Sequence, residues 1–149
     1  MTKKKKEERQ WLPHMGELID RMTIHQLKEV LIPEHKDKYS TEMKQIEHDL
    51  DMLIEEKDMK LTGELLRAVI IIAQINTHIW YNESNARKGK DQDGSLLRLT
   101  HGLNGIRNST QNLILALVGQ ASRLDWKTDC LASEFKDWHI SLLNGKEKK

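Results

Sequence analysis

Residues 64–87 read ELLRAVIIIAQINTHIWYNESNAR, and whether this stretch is a strand or a helix decides the fold. The run Val69-Ile70-Ile71-Ile72 is β-branched and would suit a buried strand. The apolar pattern does not end there, however, but continues at helical spacing through Ile79 and Trp80. The stretch is therefore read as a helix, Glu64–Arg87. Its first half is apolar nearly all round, which predicts the central and most buried helix of the molecule.

The neighbouring segments follow the same period. Downstream, residues 88–94 (KGKDQDG) form the clearest loop, and a helix is predicted from Ser95 to about Gln120. Leu96, Leu99, Leu103, Ile106, Thr110, Leu113 and Leu117 give it an uninterrupted heptad seam. Gly102 and Gly105 within it each cost about 1 kcal/mol relative to alanine, which implies close approach by another helix or a ligand. Upstream, Met43, Ile46, Leu50 and Leu53 form a seam on a helix predicted from Thr41, with Ser40 or Thr41 as cap, to about Met59. A first helix spans Met15–Leu31, with Leu18, Ile19, Met22, Leu27 and Val30 turned inward and Pro33 stopping it. A last amphipathic helix, about Thr128 to Leu143, carries Leu131, Phe135, Trp138 and Leu142 and ends at Gly145. The expected fold is all-α, a single-domain antiparallel bundle of four to five helices at 13–145, between a basic flexible tail at 1–12 and a short basic tail at 146–149.

Composition agrees with this. The 149 residues are 38% apolar and 32% charged, with only 2 Pro and 8 Gly, as amphipathic helices with short connections require. The net charge of +1 gives no global field toward nucleic acid or a membrane surface. Lys3, Lys4, Lys5, Lys6 and Arg9 make a basic tail without an aromatic or second basic cluster nearby, so nucleic acid is not the expected partner. No apolar run follows Met1–Gln10, which argues against a secretory signal. Leu65–Ile75 contains Arg67 and Gln74 and is too short to span a bilayer. The lone Cys130 cannot form an intramolecular disulfide and suits a reducing cytoplasm. It has no partner at a useful spacing for nucleophilic work.

Two polar stripes stand where core residues would be expected. Asn76, Trp80, Glu83 and Arg87 step by four, three and four and so share one helical face, which continues the line of Val69, Ile72 and Ala73. On the next helix Asn104, Arg107, Asn108 and Gln111 do the same, with His101 one turn earlier. One reading is a buried network that fixes helix register, with the asparagines bonded across the interface and Glu83 paired to Arg87 or Arg107. The other is a pocket: Arg87 and Arg107 grip a phosphate or carboxylate, Asn76, Asn104 and Asn108 orient it, and Trp80 stacks on a flat ring. In that reading Glu83 and His101 are the candidate catalytic groups, as acid/base and proton carrier.

The run Asn-x-x-Ile-Trp-x-x-Glu-x-x-Ala-Arg (Asn76 to Arg87), with Leu-Asn-x-x-Arg-Asn (Leu103 to Asn108) and GELIDRMTI (Gly16 to Ile24), resembles an uncharacterised bacterial domain family found near polysaccharide-biosynthesis genes. The resemblance covers roughly residues 15–115. It implies a helical architecture and marks Glu17, Asp20 and Arg21 besides the stripes, but it implies no particular reaction. The chain departs from the pattern at Tyr81, where a histidine is expected, and in the loop at 88–94.

Other chemistries find less support. Glu47, Asp51, Glu55 and Asp58 lie near one face, and Glu55-x-x-Asp58 is similar to the Mg²⁺-binding carboxylates of all-helical nucleotide pyrophosphohydrolases. The paired-glutamate motif of those enzymes is absent, so no metal is expected. The seven histidines form no His-Glu-x-x-His and no Cys/His cluster. No glycine-rich phosphate loop or nucleophile elbow is present, and no pattern names a cofactor. The expectation is a small cytoplasmic protein that binds a phosphorylated small molecule, a nucleotide or sugar nucleotide, between helices. The rival is a non-catalytic homo-oligomer whose seams assemble copies of the chain; a nucleic-acid accessory role ranks below both.

Overall fold

The computed structural model describes residues 9–120 and 140–144. It is an all-α bundle: α1 Met15–Leu31, a 3₁₀ turn Pro33–His35, α2 Lys36–Glu56, α3 Gly63–Arg87, α4 Ser95–Leu117 and a short α5 Ser141–Asn144. No strand occurs among the described residues. Two hairpins, α1–α2 and α3–α4, are joined by α1, which packs on α2, on α3 and on α4.

Each terminus has a local cause. At the start of α1 the His14 ring accepts a hydrogen bond from the Glu17 N–H at 3.2 Å. Glu17 in turn accepts from the His14 N–H at 3.4 Å, a reciprocal cap with histidine in the serine role. The Met15 N–H donates to the Gln120 side chain at 3.1 Å, so the residue beyond α4 also finishes the start of α1. α2 begins five residues before the predicted Thr41. Pro33 ends α1 and opens a single turn that runs straight on into α2. Thr41 is therefore inside a helix, and its hydroxyl donates back to the Asp37 carbonyl at 2.9 Å instead of capping. α2 stops at Glu56, short of Met59, because Asp58 turns left-handed (φ 47°). Thr62 caps α3 by accepting from the Leu65 N–H at 3.1 Å. α4 follows Gly94, which has no side chain to cap with, and its first N–H groups are taken by Asp91: from Leu96 at 2.9 Å and from Leu97 at 3.0 Å. The helix ends at Leu117, three residues before Gln120, where Gly119 adopts φ 77°.

The core forms two adjoining clusters. One gathers Met15, Leu18 and Ile19 of α1 with Ile46, Leu50, Leu65, Ile72 and Ile114. The other lies between α3 and α4, on Ile71, Ile75, Ile79, Leu103 and Ile106. Both predicted heptad seams lie in or against these clusters, apart from a few end positions. Two expectations change. α3 is not buried all round: Leu66 and Ile70, one turn apart, are 49% and 57% exposed, on the face that neither α1 nor α4 covers. Val30, expected inward, lies in the last turn of α1 and is 66% exposed. The predicted helix 128–143 falls outside the described residues except for its end, where Ile140, Leu142 and Leu143 pack on the core. Arg67 donates to Ser141 there at 2.7 Å. Cys130, Phe135 and Trp138 lie outside the described residues.

Candidate functional site

α1 has a second face opposite its apolar one. Glu17, Asp20, Arg21, Ile24, His25 and Lys28 recur at spacings of three, one, three, one and three, which is one continuous stripe of an α-helix. That stripe is one wall of an open cleft of about 500 Å³, a volume in the range of small-molecule sites. Trp11 and Pro13 line it ahead of the helix, and Gln111 contributes the α4 side.

Gly16 is what lets α4 form that side. A Cβ built there would lie 3.2 Å from the Gln111 carbonyl oxygen and 3.2 Å from the His14 ring, closer than packed carbons normally come. Only glycine allows this approach without displacing backbone. Behind α1, Asn76 of α3 is 4% exposed. Its amide donates to Asp20 Oδ1 at 2.8 Å and to Thr23 Oγ1 at 2.7 Å. The Thr23 hydroxyl donates to the Asp20 carbonyl at 2.8 Å. A buried side chain of α3 thus holds the carboxylate that lines the cleft on α1.

The charged groups of the cleft differ in how far they are committed. The His25 ring bonds Glu42 at 2.8 Å and the Arg21 carbonyl at 2.9 Å, tying α1 to α2. Lys28 Nζ sits 5.7 Å from the centre of the Tyr39 ring, a cation–π distance. The Arg21 guanidinium, in contrast, is exposed and has no hydrogen-bond or ion-pair partner among the described residues. On α4, Gln111 is 3% exposed and its buried Oε1 has no partner among the described residues; one turn earlier, the buried Arg107 Nε has none among them either. A buried polar atom left unpaired costs about 1–3 kcal/mol. Of the two, Gln111 belongs to the lining of the cleft and Arg107 does not.

The residues singled out in the sequence divide accordingly. Asn76 is buried and bonds α1, not α4 as the register-lock reading supposed. Glu83 and Arg87 are exposed and pair with each other at 3.4 Å. His101 is exposed, while Trp80, Asn104, Arg107 and Asn108 are half-buried. None of these lines the cleft directly, but Asn76 reaches it through Asp20, and the α4 stripe enters it at Gln111. Glu17, Asp20 and Arg21, picked out in the sequence by the resemblance alone, are in its wall. Among the described residues no three His, Cys, Asp or Glu side chains gather as metal ligands do, and the α2 carboxylates Glu47, Asp51, Glu55 and Asp58 are exposed. No helix among the described residues is long and apolar enough to cross a membrane. Comparison with protein-family models, with curated proteins and with solved structures returns no match to this chain.

Proposed function

We propose that the protein binds a phosphorylated small molecule, a nucleotide or sugar nucleotide, in the cleft between α1 and α4. The observation that carries this is an open volume of about 500 Å³ lined by the exposed Arg21 and by Gln111 of α4, whose buried Oε1 has no partner among the described residues. The uncommitted Arg21 guanidinium supplies the paired donors that phosphate oxygens accept. Lys28 adds a second cation, and the Trp11 indole in the lining offers a flat face for a base. The lone Cys130 fits a reducing, cytoplasmic setting.

The test is calorimetry and thermal shift with ADP and UDP-glucose. Binding should raise the melting temperature, and Arg21→Ala should weaken binding by about tenfold or more, the worth of a charge-assisted hydrogen bond. Arg21→Ala should leave the unliganded melting temperature unchanged, since the side chain is exposed. Failure of both ligands to stabilise the protein, or wild-type affinity in Arg21→Ala, overturns the reading. A second reading, self-association, is favoured by the neighbouring exposed Leu66 and Ile70 on α3. Light scattering that gives a multiple of 17.4 kDa, reduced to the monomer by Ile70→Glu, would support it. A concentration-independent monomer would remove it.

A further inference from the structure

A carboxylate in a cleft that takes a phosphate needs an explanation, because it repels the anion that Arg21 and Lys28 attract. Asp20 is not in the cleft by default. Asn76, 4% exposed, spends both hydrogens of its amide on α1, one on Asp20 Oδ1 and one on Thr23 Oγ1. A carboxylate only accepts, so the amide nitrogen must face it. The Thr23 hydroxyl gives its hydrogen to the Asp20 carbonyl and is left to accept from Asn76. Every hydrogen of the network is thereby assigned, and the Asp20 carboxylate is held by one oxygen. Its other oxygen accepts no hydrogen bond among the described residues, and the residue lines the cleft. What is presented there is a fixed acceptor with no hydrogen to give.

From this we infer that the ligand is a nucleoside diphosphate read through its ribose hydroxyls: Asp20 accepts a hydrogen from the diol, and Asn76 is the positioning residue that aims it. The inference rests on the phosphate-binding reading above and deepens it. Trp11 in the lining and Arg21 next to Asp20 on the same stripe place a base, a diol and a phosphate contact in one wall, and the Gln111 amide meets the ligand from α4. A bare phosphate or pyrophosphate would bring no diol to the carboxylate and would set its full negative charge beside it. The geometry therefore selects for a hydroxyl-bearing ligand and against the free anion.

Calorimetry with ADP, its dideoxyribose analogue and inorganic pyrophosphate tests this on the full chain. Asp20→Asn keeps a carbonyl oxygen for Asn76 but turns an N–H₂ donor toward the cleft. It should weaken ADP by about tenfold, the value of one hydrogen bond to a charged group, and leave pyrophosphate unchanged or tighter as a repulsive charge is removed. The wild type should bind the dideoxy analogue about tenfold more weakly than ADP, and Asp20→Asn should not alter that analogue's affinity. Asn76→Ala should weaken ADP while sparing pyrophosphate, a split that a purely structural role would not produce. ADP binding with no loss in Asp20→Asn, or equal losses for ADP and pyrophosphate, overturns this inference and leaves the phosphate site standing. Absence of any binding by the wild type overturns both.

Discussion

The contact between Asn76 and α1 ties two helices through a buried amide, and its removal has a calculable cost. Asn76→Ala deletes two hydrogen bonds of 2.8 and 2.7 Å from a side chain that is 4% exposed. The bond to the Asp20 carboxylate is charge-assisted and worth about 2 kcal/mol; that to the Thr23 hydroxyl is worth about 1 kcal/mol. Asp20 can recover part of its loss from water in the cleft, but Thr23 has less access. The net cost should be about 2–3 kcal/mol, a sizeable share of the roughly 5–15 kcal/mol that holds a domain folded. In a chain of this length each kcal/mol moves the midpoint by about 2–4 °C, so a fall of about 5–10 °C is expected. Urea unfolding followed by circular dichroism gives the free energy, and a cycle with Asp20→Ala isolates the pair. The double variant should be less destabilised than the sum of the two by about 1.5 kcal/mol, beyond the roughly 0.5 kcal/mol scatter of independent sites. Additive losses, or an Asn76→Ala cost below about 1 kcal/mol, would refute the account of α3 gripping α1 through this amide.

Two further outcomes follow from the geometry. Gly16→Val should destabilise by about 2 kcal/mol, because the new carbons meet the Gln111 carbonyl and the His14 ring; Gly63→Ala, where a Cβ meets nothing within 4 Å, should stabilise by about 0.5 kcal/mol, both read by urea titration. At the α3–α4 turn, the Ser95 hydroxyl and then the Ser95 N–H hold the Asp93 carboxyl below its usual value of 3.8. A carboxyl lowered in the folded state stabilises above its unfolded pKa, and that contribution is lost as pH falls through the lower folded value. Melting temperature should therefore drop more in wild type than in Asp93→Asn between pH 4 and strongly acid solution; identical pH profiles for the two would contradict this.

Much of the helical framework was legible before any tertiary contact was known. α1 is Met15–Leu31 as read, and α3 and α4 differ from the reading by one residue at the start and three at the end. The reason is that long amphipathic periods and the residues that end them, Pro33 and Gly119, act locally. The start of α2 was not legible, because Thr41 is an acceptable cap in isolation and only the turn at Pro33–His35 makes it interior. The candidate site was legible in part. The unusual polar stripes were visible, but periodicity cannot say which neighbour a stripe faces. Asn76 faces α1, and the pair Glu83 and Arg87 faces solvent. Of the stripe at 17, 20, 21, 24, 25 and 28, only Glu17, Asp20 and Arg21 stand out in the sequence, through the resemblance, since charged residues on one side of a surface helix are ordinarily its solvated face.

That the chain is a helical bundle, and which residues are most of its apolar anchors, follows from the residues themselves, since helix period, caps and breakers are properties of neighbours in the chain. It took packing in three dimensions to set α1 as the join between the two hairpins, to bring α4 against it at Gly16, and to fix Asp20 in an open cleft through a buried amide of α3. Those are contacts between residues 56 and 95 positions apart in the chain. They depend on how the helices pack in space, and no local pattern encodes that.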